Sequence, residues 1–187
     1  GGVATRIVRN AEVLFDSALP YPETPLLGAR VYYADLTGDG LSDFLIYSSP
    51  GGNGLGALIE FADVLIARPD GQFDHRSFEA CAGGPEDFVD VNGDGRFELL
   101  WGAWYHAEDG HTYWVYRLIE LAAGWRLHDE LLPGFPKIIQ FTHRPNAEPA
   151  AIPDALRQAL VQQSTARWQF DQAMAQMEPD VMSTAYC

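Results

Sequence analysis

The stretch VYYADLTGDGLSDFLIY at residues 31–47 returns in altered form as EDFVDVNGDGRFELLWG at residues 86–102. The two align without a gap at an offset of 55, so that Asp35, Thr37, Gly38, Asp39, Gly40 and Asp43 fall on Asp90, Asn92, Gly93, Asp94, Gly95 and Glu98. An aromatic and an apolar residue precede each loop (Tyr33-Ala34, Phe88-Val89), and a short apolar run follows it. Self-similarity at a fixed offset marks a repeated supersecondary unit. Here the unit is an acidic, glycine-bearing loop between two strands.

Oxygen-bearing side chains at loop positions one, three, five and nine converge when glycines let the chain curl tightly. A hard cation such as calcium takes six to eight oxygens in flexible geometry. Asp35, Thr37, Asp39, Asp43 and the carbonyl of Leu41 supply most of one shell; Asp90, Asn92, Asp94, Glu98 and the carbonyl of Arg96 supply the other. Each loop crowds three carboxylates, which repel one another without a cation. Magnesium prefers stricter octahedra and zinc prefers nitrogen and sulfur, so two structural calcium ions are expected. Thr37 is a neutral, weaker donor, and the first site is expected to bind less tightly than the second. The competing reading is a pair of Asx-turns, since Asp, Asn and Gly favour turns unaided; two aligned copies with a shared ninth-position acid weigh against it. An EF-hand fails because position twelve holds Ile46 and Trp101 instead of Glu, and β-rich residues flank the loops.

DLTGDGLSD and DVNGDGRFE resemble the calcium loops of FG-GAP/VCBS repeats, the blade units of integrin-type β-propellers. The resemblance is specific over both loops and their flanking strands, and looser over residues 29–131. It implies that each loop joins the first two strands of a four-stranded blade and that calcium pins the hairpin. It also implies an extracytoplasmic protein used for adhesion, ligand binding or protein contact. Two repeats cannot close a ring alone.

Strand patterning read independently agrees with a blade. In the first unit, 29–35, 43–49, 58–68 and 72–80 read as strands, the last two flanking Pro69-Asp70-Gly71. In the second, 86–90, 97–105, 112–121 and 125–131 do so. Residues 6–15 and 136–142 read as extra strands of incomplete neighbouring blades. From Pro153 the period changes to that of a helix ending near 176, with Leu156, Leu160, Val161, Trp168, Met174 and Met177 on one stripe and Pro179 as a stop. The expected fold is mainly β: two four-stranded propeller-like blades, a partial β-propeller, with extra strands and a C-terminal helix. The expected organisation is a β-blade domain at 1–145 (repeats at about 29–81 and 86–131), then a linker and helix at 146–187 packed on it.

Composition narrows the function. Twelve basic against twenty-six acidic residues give a net charge of −14 and a pI near 4.5. Such a surface repels phosphate backbones and anionic lipid, which disfavours nucleic acid and peripheral membrane binding. No apolar run is long enough to span a bilayer. GGVATRIVRN does not read as a signal peptide, although a mature chain would have lost one. Cys81 and Cys187 can bridge only in an oxidising compartment, and the sequence leaves that pairing open.

The glycine-rich SSPGGNGLG (48–56) lacks phosphate-loop and dinucleotide spacing and reads as an insertion near a contact face. Five histidines form no zinc spacing, with His106 and His111 expected to face each other across a turn. No serine sits in a nucleophile elbow, and Glu108 and Asp109 are weak candidates for a carboxylate pair not committed to calcium. The expectation is therefore a non-enzymatic, calcium-binding, secreted or periplasmic protein-interaction module, of inhibitor/immunity or adhesion type. Its partner is a protein or a second copy forming a homodimer, and neither nucleic acid nor membrane insertion is expected. The rival is a carbohydrate-binding module using the aromatics of 101–125: Trp101, Trp104, Tyr105, Tyr113, Trp114, Tyr116 and Trp125.

Overall fold

The computed structural model describes residues 4–9, 12–18, 28–49, 59–81, 83–122, 124–141 and 151–175. Strands β1 (Ala4–Arg9) and β2 (Glu12–Ala18) form an antiparallel hairpin with a register shift at Ile7/Val8. The expected single strand at 6–15 is thus corrected to two, with the chain reversing in its middle.

The first acidic repeat folds as an antiparallel meander of β3 (Gly28–Ala34), β4 (Asp43–Ser49), β5 (Ile59–Ala67) and β6 (Phe73–Cys81), in that order. The acidic loop connects β3 to β4. Between β5 and β6 the Pro69-Asp70-Gly71 turn closes because Gly71 adopts φ +82° and Asp70 Oδ1 accepts the Gln72 N–H at 3.0 Å. Leu45, Ile46, Val64, Leu65 and Phe78 form the buried centre of this sheet. Tyr47 anchors one end: its hydroxyl donates to the Gly84 carbonyl at 2.6 Å, and its ring lies under the Arg30 guanidinium, 5.7 Å from the centroid. Arg30 in turn donates to Glu60 at 2.9 Å and to the Gly83 carbonyl at 3.0 Å.

The second repeat forms β7 (Phe88–Val89), β8 (Glu98–His106), β9 (Thr112–Glu120) and β10 (Arg126–Leu127), joined by β11 (Lys137–Phe141). Two corrections apply. The expected strand at 125–131 is reduced to Arg126–Leu127 and gives way to a single 3₁₀ turn at Asp129–Leu131. The expected strand at 136–142 does not begin a neighbouring blade. Instead, β11 is the fifth strand of this sheet, pairing with Thr112–Tyr116 while β10 pairs with Ile119–Glu120 on the same edge of β9.

Helix α1 (Asp154–Ala175) packs on one face of this second sheet. Leu160 joins Tyr113 and Val115 in a core that Tyr105, Ile138, Ile152 and Leu156 surround, and Trp168 meets Trp101 edge to face at 5.5 Å. Arg117, almost fully buried, ties the layers together. Its Nε donates to Asp129 Oδ2 at 2.7 Å, and Nη1 donates to Ser164 Oγ at 2.7 Å and Thr165 Oγ1 at 3.0 Å. The described residues up to Glu86, together with 172–175, make up one compact unit and Asp87–Asp171 the other. Residues 50–58, most of the linker before α1, Pro179 and Cys187 lie outside the described residues.

Candidate functional site

Both acidic loops fold the same way, and the first carboxylate of each does the folding. Asp35 Oδ1 accepts the N–H groups of Gly38 (2.7 Å) and Asp39 (3.1 Å), and Oδ2 accepts that of Gly40 (2.8 Å). Asp90 repeats this with Gly93 (2.7 Å), Asp94 (3.1 Å) and Gly95 (2.9 Å). The glycines supply the left-handed conformations the curl needs, with φ of 70° and 84° in the first loop and 76° and 83° in the second. At the fifth position, Asp39 Oδ1 accepts the Leu41 N–H at 2.8 Å and Asp94 Oδ1 the Arg96 N–H at 2.9 Å. Backbone donors hold the Asp90 carboxyl below its ordinary range, Gly95 foremost and then Gly93, Asp94 and Asn92.

The ninth-position acids sit underneath. Asp43 is fully buried; its Oδ2 accepts the Leu36 N–H and its Oδ1 the Ala67 N–H, both at 2.8 Å. Glu98 is buried as well, and its Oε2 accepts the Val91 N–H at 3.3 Å. Burial raises both pKa values, and the two other carboxylates of each loop raise them further.

The third positions differ. Asn92 is exposed; its Oδ1 accepts the Asp94 N–H and its amide donates to Asp94 Oδ2, both at 3.0 Å. Thr37 is buried, and its Oγ1 is shielded from solvent without a hydrogen-bond partner. At the seventh positions, Leu41 is half-buried and Arg96 exposed.

All ten expected ligands are thus placed in two matching loops. Among the described residues, however, no three acidic, histidine or cysteine side chains are drawn together as a metal-holding group. The reason is local: Asp35 and Asp90 turn onto backbone amides, Asp43 and Glu98 lie beneath the curl, and Asp39 and Asp94 stay exposed. The donor chemistry nonetheless fits a hard cation. A carboxylate offers about four acceptor sites. Asp35 uses three of these, Asp43 two and Asp39 one, so oxygen lone pairs remain, and the Thr37 hydroxyl oxygen is uncommitted.

Other constellations resolve into structural roles. Asp109 caps its turn, accepting the His111 N–H at 2.9 Å and the Tyr113 hydroxyl at 2.7 Å. His106 does not face His111. Its cross-strand partner is Thr112, whose Oγ1 is hydrogen-bonded to His106 Nδ1 at 2.9 Å. A cluster that sequence spacing does not reveal joins β5 to β6: Asp63, nearly fully buried, accepts from Ser77 Oγ and is bonded to His75 Nε2 at 2.8 Å. Catalysis by a Ser-His-Asp triad needs the imidazole between acid and hydroxyl, one nitrogen for each. Here Nε2 alone faces both residues, with Ser77 Oγ at 3.4 Å, and both bond the same Asp63 oxygen. The aromatics of 101–125 divide by strand alternation: Trp101, Tyr105 and Tyr113 face α1, Trp125 is buried, and Trp104, Trp114 and Tyr116 share the opposite face.

No family model matches the chain, and neither a curated protein nor a solved structure matches it. Among the described residues no helix is long and apolar enough to cross a membrane.

Proposed function

We propose that the chain is a calcium-stabilised, non-enzymatic binding module of an extracellular or periplasmic setting, built from two blades of the FG-GAP/VCBS kind and acting through contact with another protein. The observation that carries this reading is the repeat of one hydrogen-bond pattern, Asp35 with Gly38, Asp39 and Gly40 against Asp90 with Gly93, Asp94 and Gly95. An Asx-turn needs one such bond. Two loops that each spend three, over a buried ninth-position acid, are organised around more than a chain reversal.

Calcium would be held by Asp35, Thr37, Asp39, Asp43 and the Leu41 carbonyl in one loop, and by Asp90, Asn92, Asp94, Glu98 and the Arg96 carbonyl in the other. The ion supplies positive charge that offsets the carboxylate crowding. The chain supplies a curl already closed by its own amides, so that little more than the exposed Asp39 and Asp94 side chains must turn inward. Sites of extracellular modules bind at about 10⁻⁴ to 10⁻³ M, and 1 mM calcium at the tighter limit adds about 1.4 kcal/mol per site. A partner protein is supported by the edge strand β3, whose Val31 and Tyr33 side chains are largely exposed.

Thermal melting in EGTA and in millimolar calcium, combined with native mass spectrometry, tests the reading. A rise in Tm with two bound ions is expected, with one ion lost in Asp39→Ala and one in Asp94→Ala. An unchanged calcium response in both variants would reduce the loops to ordinary turns.

A further inference from the structure

The second sheet has one face under α1 and another that is aromatic and open towards the β8–β9 hairpin. Register places three rows across that face: Trp104, Trp114 and Ile139; Gly102, Tyr116 and Lys137; His106, Thr112 and Phe141. Trp104 is 59% exposed, Phe141 47% and Ile139 41%, so this end is not core. Ring geometry shows how the aromatics lie. A Cβ added at Gly102 would stand 2.9 Å from Tyr116 Cε1 and 3.0 Å from Cδ1, so the tyrosine ring is laid down across the bare glycine backbone of the neighbouring strand. Trp114 lies within 21° of the Tyr116 plane, and Trp104 within 27° of the Trp114 plane, with centroids 6.1 and 6.4 Å apart. Near-parallel rings at those separations are offset from one another, so no ring lies squarely over the next.

We propose that this floor binds a neutral, unbranched oligosaccharide of pyranose units. A pyranose with equatorial hydroxyls presents a flat array of C–H groups that stacks on an aromatic face while its hydroxyls point sideways. A row of three near-parallel, mutually offset rings suits an elongated chain of such units better than a compact ligand, which one ring would serve. Hydrogen-bonding groups stand at the strip's margins: Lys137 beside Tyr116, and the His106–Thr112 pair beyond Trp104 and Trp114. Charge separates the sugar from other occupants. The three rows contain no carboxylate although the chain carries a net −14, and Lys137 stands in one of them, so this end of the face offers a basic protein no opposite charge. The overall charge opposes a second copy and a nucleic acid alike. The site stands on the second sheet alone and does not depend on calcium or on the protein-contact reading.

The test is isothermal titration of the whole chain, with tryptophan fluorescence as a second readout, against hexasaccharides of β-linked glucose, xylose, mannose and N-acetylglucosamine. Binding heat and a fluorescence change are expected with at least one of them. Trp104→Ala, at an exposed site, is expected to weaken that binding about tenfold or more without changing Tm. Gly102→Val, which lifts Tyr116 off the strand, is expected to weaken it too, and Trp104→Phe to restore part of the affinity. Absence of heat from all four sugars at millimolar concentration, in a chain that melts cooperatively, would overturn the proposal. So would equal affinity in Trp104→Ala. A change in the number of associated copies in that variant, without sugar binding, would assign the face to a second copy and overturn it as well.

Discussion

The first and second acidic loops have nearly the same backbone and very different seats. In the first, Leu36 and Thr37 are buried, and Asp43 stitches the loop to the end of β5 through Ala67. In the second, Asn92 through Arg96 are exposed, and Glu98 holds Val91 by a longer bond. The aromatic that leads into each loop shows the same contrast: Tyr33 is 76% exposed, whereas Phe88, its counterpart at the offset of 55, is buried. Spacing and glycines therefore set the shape of the turn, and the strands around it set how firmly that turn is held.

The largest effect follows from that difference. Asp43→Ala strands two N–H groups beneath the loop and is expected to destabilise the metal-free chain by about 3 kcal/mol, against about 1 kcal/mol for Glu98→Ala. Urea unfolding in EGTA measures both, and equal losses would erase the distinction. Alkaline titration gives a separate handle on the second unit. Burial pushes Tyr105 and Tyr113 up to about 12, and the Asp109 carboxylate adds to the rise at Tyr113. The stability they contribute is complete below the ordinary value of 10.0 and is lost as pH rises through about 12. Absorbance at 295 nm should show tyrosine ionisation near pH 12 that shrinks in Tyr105→Phe and again in Tyr113→Phe; an unchanged late phase in both variants would remove this marker.

Thr37→Val sharpens the comparison further. Its hydroxyl oxygen has no partner, so the metal-free chain is expected to keep its stability within about 0.5 kcal/mol. Calcium affinity of the first site should fall about tenfold, and that of the second should not change. A large loss in EGTA would mean that the hydroxyl serves the fold and not an ion. Asn92→Ala removes two exposed turn bonds and is expected to cost the metal-free chain about 0.5–1 kcal/mol in urea unfolding in EGTA; no loss there would mean that these bonds do not hold the turn.

Local signals carried most of the fold. The meanders were legible because glycine turns separate apolar runs, and β4, β5, β8 and β9 lie within a residue or two of where patterning puts them. What patterning could not supply was partnership at a distance. β11 reads as one more apolar stretch, and only pairing shows that it extends the edge β10 leaves unfilled. The fourth strand fell short because Trp125 turns through φ 65° and Asp129 is drawn in to cap Arg117 and the Leu118 N–H. At the candidate sites the matching curl of the two loops was legible from spacing. The capture of Asp35 and Asp90 by backbone amides, and the burial of Thr37, were not, because they depend on the curl and on the strands around it. The Asp63, His75 and Ser77 cluster was equally hidden, since it exists only once β5 and β6 are in register.

The guanidinium of Arg117 also fixes how the second unit opens. With its donors divided between Asp129 and the hydroxyls of Ser164 and Thr165, α1 cannot lift away without leaving a charge half-satisfied inside the sheet. Amide protons in the middle of α1 and along β9 should therefore exchange with deuterium through one common opening free energy, as a single cooperative foldon, instead of the helix fraying ahead of the strand.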